Sequence, residues 1–312
     1  MKVLFVSSGN SKYGISPIIK SQGESLICQD IQLEFFTING KGFQSYFRHI
    51  FKLRKFLRTN NFDVVHAHYS LSAYVASLAG SKPLIVSLMG SDVKSNGFIK
   101  FIIHFLNFLF DWKQVIVKSQ DMEKGMGIKN SKVIPNGVNI DLFKPAEKFL
   151  SQEQLVWDRS KKHILFAANP NRPEKNFSLA SEAFSLIIDS NIELHVLENI
   201  PQNEIPVWLN ASDVILLTSL WEGSPNVIKE AMACNRPIVA TDVGDIRWLF
   251  GNEPGHFISK FESEELQAKI NLALNYSGST KNTKGRDRII SLGLDSENVA
   301  QKIVAIYTDC IK

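Results

Sequence analysis

Short runs of branched apolar residues recur along the first half of the chain: KVLFVS from Lys2, IQLEFFTI from Ile31, FDVVHAH from Phe62, PLIVSLM from Pro83, KQVIVKS from Lys113 and KVIPNG from Lys132. Between them the apolar positions fall three and four apart, the period of an amphipathic helix. Such alternation predicts an α/β chain with parallel sheets, because parallel strands need helical crossovers. The pattern pauses over a linker-like stretch from Lys144 to Lys162 and restarts with HILFAA, IELHVLE, DVILLTS and PIVATD. Two domains of similar build are expected, over residues 1–148 and 149–295. A last helix is expected over residues 296–312, with Val299, Ile303, Ile306 and Tyr307 on one face.

Two apolar stretches change the picture further. Phe98 to Phe110 is interrupted by Lys100, His104 and Asn107 and falls short of the ~20 residues that cross a bilayer. Gly42 to Asn60 reads as a basic amphipathic helix: Phe43, Tyr46, Phe47, Ile50 and Leu57 share helical spacing, and Arg48, Lys52, Arg54, Lys55 and Arg58 occur with no acid. Its apolar face is expected to join the core, and its basic face to meet anionic lipid headgroups.

With 44% hydrophobic and 21% charged residues in 312, the chain is a folded one of two ordinary domains. Its charge is uneven: residues 1–150 hold 19 Lys and Arg against 10 Asp and Glu, and the remainder 16 against 21. The first half is therefore suited to an anionic partner, membrane surface or phosphate. Cys28, Cys234 and Cys310 are scattered and lack CxxC spacing, which points away from a disulfide framework and toward a reducing compartment. MKVLFVSSGN reads as a first strand, too short for a signal-peptide core, so a cytoplasmic location is expected.

Ligands of open α/β sheets bind beyond the carboxyl ends of the strands. EGSPNVIKEAMACNRPIVATDVGD, Glu222 to Asp245, follows the strand-like VILLTS. Ser224 suits an N-cap, Pro225 a first turn, and Val227, Ile228, Ala231 and Met232 a buried stripe. Helix formation leaves Glu222 and Glu230 unexplained, since they flank the helix start. A helix N-terminus after a parallel strand offers unpaired N–H groups and a positive dipole end to a phosphate. A nucleoside diphosphate would fit there, with Glu230 accepting from ribose hydroxyls and Glu222 from a sugar hydroxyl. His66 and His68 alternate onto one face of a strand end, open to three readings: a metal site that would need a third ligand, a structural pair, or acceptor contacts. No Asp-x-Asp occurs in the chain, so a divalent ion has no evident ligands at a donor phosphate.

Assembled in order, these blocks resemble the retaining, nucleotide-sugar-dependent glycosyltransferases of the GT-B fold, the large E-x7-E family (family 4-like, group 1) of bacterial surface-polysaccharide type. Glu222 and Glu230 match E-x7-E, and the likeness extends through EAMACNRPIVATDVGD, IPNGVNIDLFKP, VVHAHYS and SLMGSDV. The resemblance implies two facing Rossmann-like domains, an acceptor cleft in the first, donor binding in the second, and a final helix crossing back to the first. It implies that Arg172 and Lys175, in ANPNRPEKN, neutralise the donor diphosphate; Arg172 is shifted from the family's usual position. Gly14 resembles the turn whose backbone meets the donor phosphate, without the usual adjacent glycines. Gly223, Ser224, Pro225, Asn226 and Val227 would line the donor with Glu230. Met89 stands where the family commonly has a sugar-contacting histidine, which shifts attention to Asp92 and His68.

The expected activity is transfer of a hexosyl group from a nucleoside-diphosphate sugar, UDP being the common donor base, to a glycan or lipid-linked glycan acceptor, in surface polysaccharide synthesis. No cofactor, metal or nucleic acid is expected, and the chain is placed in the cytoplasm, peripheral on the inner membrane face. The rivals are a GT-B nucleotide-sugar epimerase or hydrolase, and a catalytically silent nucleotide-sugar-binding partner.

Overall fold

A computed structural model describes residues 1–12, 14–40, 42–93, 97–279 and 283–312. It divides into two compact units, Met1–Gly137 with Ser296–Lys312, and Val138–Asp295.

The first unit runs β1 (Lys2–Ser8), α1 (Pro17–Ile27), β2 (Gln32–Ile38), α2 (Phe43–Thr59), β3 (Val64–His68), α3 (Ser70–Ala79), β4 (Leu84–Ser87), α4 (Gly90–Val93), α5 (Gly97–Phe110), β5 (Gln114–Val117), α6 (Gln120–Met126) and β6 (Ser131–Val133). Its strands form one parallel sheet in the order β2-β1-β3-β4-β5-β6. The period-two pattern sends Leu4, Val6, Val65, Ala67, Val86 and Val115 to one face, where α2, α3 and α5 bury Ile50, Leu53, Ala76, Ile103 and Leu106. Val3, Phe5, Val64, Ile85 and Ile116 line the other face.

The second unit continues with α7 (Lys148–Leu155), β7 (Lys162–Phe166), α8 (Phe177–Ser185), β8 (Ile192–Val196), α9 (Ile205–Ala211), β9 (Val214–Leu217), α10 (Asn226–Ala233), β10 (Ile238–Thr241), α11 (Ile246–Phe250), β11 (His256–Ser259), α12 (Ser263–Ser279) and α13 (Gly285–Ser291). Its parallel sheet has the order β11-β10-β9-β7-β8. The chain then returns as α14 (Ser296–Ile311), whose Val299, Ile303, Ile306 and Tyr307 are buried against the second face of the first sheet.

Three local expectations need correction. The boundary lies at Gly137/Val138, ahead of residue 148. Val138 and Phe143 join the second core, and Arg286 Nη1 donates to the carbonyls of Ile140 and Phe143 at 2.8 and 2.9 Å. The linker-like stretch contains α7, which is anchored rather than loose: Lys148 Nζ meets Asp213 Oδ1 at 2.7 Å, and Gln152 donates to the Ala211 carbonyl. In α2 the buried residues are His49, Ile50 and Leu53, while Phe43 and Phe47 face solvent. Ile50 is thus core as expected, and Tyr46 and Leu57 pack partly buried against the same cluster; only Phe43 and Phe47 of the expected face fall outside it. β11 had no counterpart in the pattern, because HFIS is short and only Ser259 is fully enclosed. Among the described residues no helix is long and apolar enough to cross a membrane.

Candidate functional site

β7 and β9 are hydrogen-bonded neighbours, and the chain visits β8 on the far side of β7 between them. Their carboxyl ends therefore mark a switch in strand order, the place where open sheets leave a crevice. Two loops meet there. Thr218 Oγ1 donates to the carbonyls of Lys175 and Asn176 at 3.0 and 2.8 Å, and Leu220 N to the Glu174 carbonyl at 2.9 Å. Thr241 Oγ1, at the end of β10, holds the Ser219 carbonyl at 2.7 Å.

The stapled loops bring Lys175 and Glu222 together across 47 residues of sequence: Lys175 Nζ lies 2.5 Å from Glu222 Oε1, and Ser219 Oγ donates to the same oxygen at 2.7 Å. Both side chains are about seven-eighths buried, so this pair is far less screened than a surface ion pair. Gly244 packs under the loop at φ +60°; a Cβ there would sit 2.5 Å from the Gly223 carbonyl oxygen. Arg172 is not brought to the pair. Its guanidinium closes on Glu174, two residues on across the turn Pro173–Lys175, and is more than half exposed.

α10 begins at Asn226, with Pro225 in the cap position and no side-chain cap, so Ser224 is not the N-cap expected. The Ser224 hydroxyl instead accepts from Lys229 Nζ at 3.1 Å. Lys229 is fully buried. Burial lowers it to about 8 against the opposing pull of Asp245 and Glu230. Burial likewise raises Glu230 to about 7, opposed by a 2.8 Å hydrogen bond from Gln202 Nε2 and by Lys229. Asp245 is raised to about 6 by burial, with Lys229 and Ser224 opposing. Gly223, Ser224 and Pro225 thus lead into α10, whose first turn holds Asn226 and Val227 and whose buried Lys229 interacts with both Glu230 on the same helix and Asp245 at the start of α11. No sequence pattern assigns a role to Lys229, Asp245, Gln202, Ser219 or Gly244. Gly244 and Asp245 lie in the DVGD block, whereas Gln202 comes from a loop with no motif of its own.

The remaining candidates lie in the first unit. Gly14 closes a tight turn with Ser11 at φ +80°, with open space where a Cβ would be. Asp92 is buried and already engaged: Oδ1 accepts from Ser70 N and Oγ, and Oδ2 from Met89 N at 2.7 Å. Burial raises its pKa, and these hydrogen bonds oppose the rise. The carboxylate thus fastens the start of α3 to α4. His66 is a structural residue, with Nδ1 2.6 Å from the Tyr307 hydroxyl and Nε2 2.8 Å from Ser87 Oγ. His68 stacks on it at 4.3 Å and is fully enclosed, with neither ring nitrogen hydrogen-bonded among the described residues. Burial, then the neighbouring His66 and Lys118, push His68 far below the usual imidazole range, so the ring is neutral.

Comparison with known proteins matches both units. Residues 10–119 match the family described as Glycosyl transferase 4-like, and residues 191–275 the one described as Glycosyl transferases group 1. A Bacillus subtilis (strain 168) protein named as a teichuronic acid biosynthesis glycosyltransferase is 26% identical over 66% of this chain, which spans 60% of that protein's length. An Escherichia coli UDP-Gal:alpha-D-GlcNAc-diphosphoundecaprenol alpha-1,3-galactosyltransferase is 24% identical over 84% of this chain and 79% of its own. The Anabaena protein HepE, solved in complex with UDP-glucose, superposes with a TM-score of 0.76 at 18% identity over 99% of this chain and 100% of its own. The architecture is the GT-B fold, and the relatives are glycosyltransferases of polysaccharide or lipid-linked glycan synthesis.

Proposed function

We propose that the chain is a retaining glycosyltransferase that moves a hexosyl group from a nucleoside-diphosphate sugar, with UDP favoured, to a glycan or lipid-linked glycan acceptor in surface polysaccharide synthesis. The observation that carries it is the Lys175–Glu222 pair in the loops that follow β7 and β9, immediately ahead of α10, which carries the buried Glu230. The names of the galactosyltransferase relative and of the UDP-glucose complex support the donor class.

In this mechanism the donor diphosphate lies along Gly223 to Val227, where the first N–H groups of α10 lack intrahelical partners. Glu230 accepts from the ribose hydroxyls. Glu222, with Oε1 held by Lys175 and Ser219, turns Oε2 to a sugar hydroxyl. The acceptor oxygen attacks the anomeric carbon from the face the diphosphate leaves. The bond to phosphate breaks with its electron pair going to the nucleoside diphosphate, and a donor phosphate oxygen takes the acceptor proton. Lys175 stabilises the charge that grows on the diphosphate, where a preorganised cation is worth most. Arg172, now on Glu174, would join it only by exchanging partners. No metal takes part, since the sequence has no Asp-x-Asp.

The acceptor side is assigned to the first unit, with Asp92 and the enclosed, neutral His68 as positioning residues. Peripheral membrane binding on the cytoplasmic side rests on α2 and α5, which cover the same sheet face. Their outer surfaces expose Phe43, Phe47 and Phe51, and Phe101, Phe105 and Phe108, beside the basic residues of α2. A thermal-shift screen of nucleotide sugars, followed by turnover with lipid-linked acceptors, tests the assignment. Stabilisation by one nucleoside diphosphate and transfer with its sugar are expected. Donor consumption without any acceptor would favour an epimerase or hydrolase instead.

A further inference from the structure

His163 on β7 pairs in register with Glu193 on β8, and His195 lies two residues beyond Glu193 on the same side of that strand. Their ligand atoms converge: His163 Nδ1 is 2.9 Å from His195 Nε2, and Glu193 Oε2 is 3.6 Å from the first and 3.7 Å from the second. A point equidistant from the corners of that triangle lies about 2.0 Å from each, the bond length of zinc to imidazole nitrogen and carboxylate oxygen. Edges near 3.4 Å are also those of a tetrahedron with such bonds.

The surrounding contacts aim these three atoms inward. His163 Nε2 is 2.9 Å from the Asp158 carbonyl, which can only accept, so Nε2 carries the proton and Nδ1 presents its lone pair. Lys161 Nζ holds Glu193 Oε1 at 2.6 Å, which leaves Oε2 turned to the rings. Trp157 stacks flat on the His195 ring at 3.7 Å and fixes its plane. A hydrogen bond between the two rings accounts for the 2.9 Å contact, yet it leaves Oε2 nearly equidistant from both rings and beyond hydrogen-bond reach of either. A shared ion accounts for all three distances.

We propose that His163, Glu193 and His195 bind one zinc ion, with the partly exposed side of Glu193 and His195 leaving a fourth position to water. Two imidazoles and one carboxylate suit zinc rather than magnesium or calcium, which prefer all-oxygen shells. The ion would pin edge strand β8 to β7 and to the segment carrying Trp157, so its role is to stabilise the second unit. It lies on strand positions before the loops that hold Lys175 and Glu222, and takes no part in transfer.

The test uses the untagged full-length protein stripped of metal. Calorimetry with zinc should show one site per chain, zinc should raise the melting temperature, and cobalt should give the visible spectrum of a four-coordinate site. His195→Ala and Glu193→Gln should each weaken zinc binding at least tenfold and remove the thermal shift, with Glu193→Gln serving where the alanine variant folds poorly. Absence of a stoichiometric site, a six-coordinate cobalt spectrum, or wild-type affinity in Glu193→Gln would each overturn the assignment. UDP-dependent stabilisation, read in the same samples, should persist in both variants, so failure of the zinc site and failure of the donor site are separately visible.

Discussion

Glu230→Gln separates what the carboxylate does for binding from what it costs the fold. Burial moves Glu230 from 4.5 to about 7, so between those values the folded chain holds a proton that the unfolded chain has released. The stability this proton contributes is fully present below about 4.5 and is lost as pH rises through about 7. At 1.36 kcal/mol per unit, the ionised carboxylate costs the fold at most about 3 kcal/mol above pH 7. The value of about 7 already includes the opposing Lys229 charge and the Gln202 hydrogen bond, so the variant should gain on the order of 2–3 kcal/mol at pH 8. The glutamine can still accept from Gln202. Urea unfolding of the ligand-free protein should therefore show Glu230→Gln more stable than wild type at pH 8 and nearly equal at pH 5. Calorimetry at pH 8 should show UDP bound about tenfold or more weakly, since a charged acceptor contributes about 1.5–3 kcal/mol to such a hydrogen bond. A variant no more stable at pH 8 would mean that Lys229 and Gln202 offset the burial in full. Undiminished UDP affinity would remove Glu230 from the donor site.

Lys175→Ala should depress turnover more than ground-state UDP affinity, because its charge is needed most as the diphosphate departs; equal losses in the two measurements would make it merely adhesive. Turnover should survive excess chelator, although the melting temperature should fall if the chelator strips the His163–Glu193–His195 site; rescue of lost turnover by an added divalent ion would refute the metal-free mechanism. Changing Arg48, Lys52, Lys55 and Arg58 together to glutamine should abolish sedimentation with anionic vesicles at low salt while soluble-acceptor turnover persists. Equal partitioning of that variant and wild type would overturn the lipid assignment for α2.

The two sheets and the return helix were legible because parallel strands buried on both faces read as continuous apolar runs, and α14 carries its four contacts at an unbroken helical spacing. Glu222 and Glu230 can be singled out together in the sequence because both lie in one block. What could not be read were relations set by register and loop packing. The Lys175–Glu222 pair joins two loops through Thr218 and Leu220, and sequence gives no distance between them. Lys229 sits one position before a glutamate in a helix that looks amphipathic, yet it is enclosed because Ser224 and Asp245 receive its charge. The His163, Glu193 and His195 cluster was missed for the same reason. Its ligands are on two strands, and only the parallel pairing of β7 with β8 sets them side by side.

The exposed aromatics show a further limit of periodicity, and one with a functional consequence. Spacing says which residues share a helix face, but the sheet decides which face it covers. On α2 the core takes Ile50 and Leu53, so Phe43, Phe47 and Phe51 form a line on the outside, with ring centroids 6.2 and 5.3 Å apart. On α5 it takes Ile103 and Leu106, and Phe98, Phe101, Phe105, Phe108 and Leu109 are left outward, each at least half exposed. Scattered exposed apolar residues are ordinary, whereas aromatic rows on two helices over one sheet face are not. Neither row improves the fold, since both are wet in the isolated chain. A bilayer interface would cover them by taking the rings between headgroups, while Arg48, Lys52, Lys55 and Arg58 hold the anionic phosphates. The apolar contribution would then outlast the salt that screens the basic one, so the quadruple glutamine variant should lose its salt-sensitive binding, while Phe101→Ser with Phe108→Ser should weaken binding at low and high salt alike.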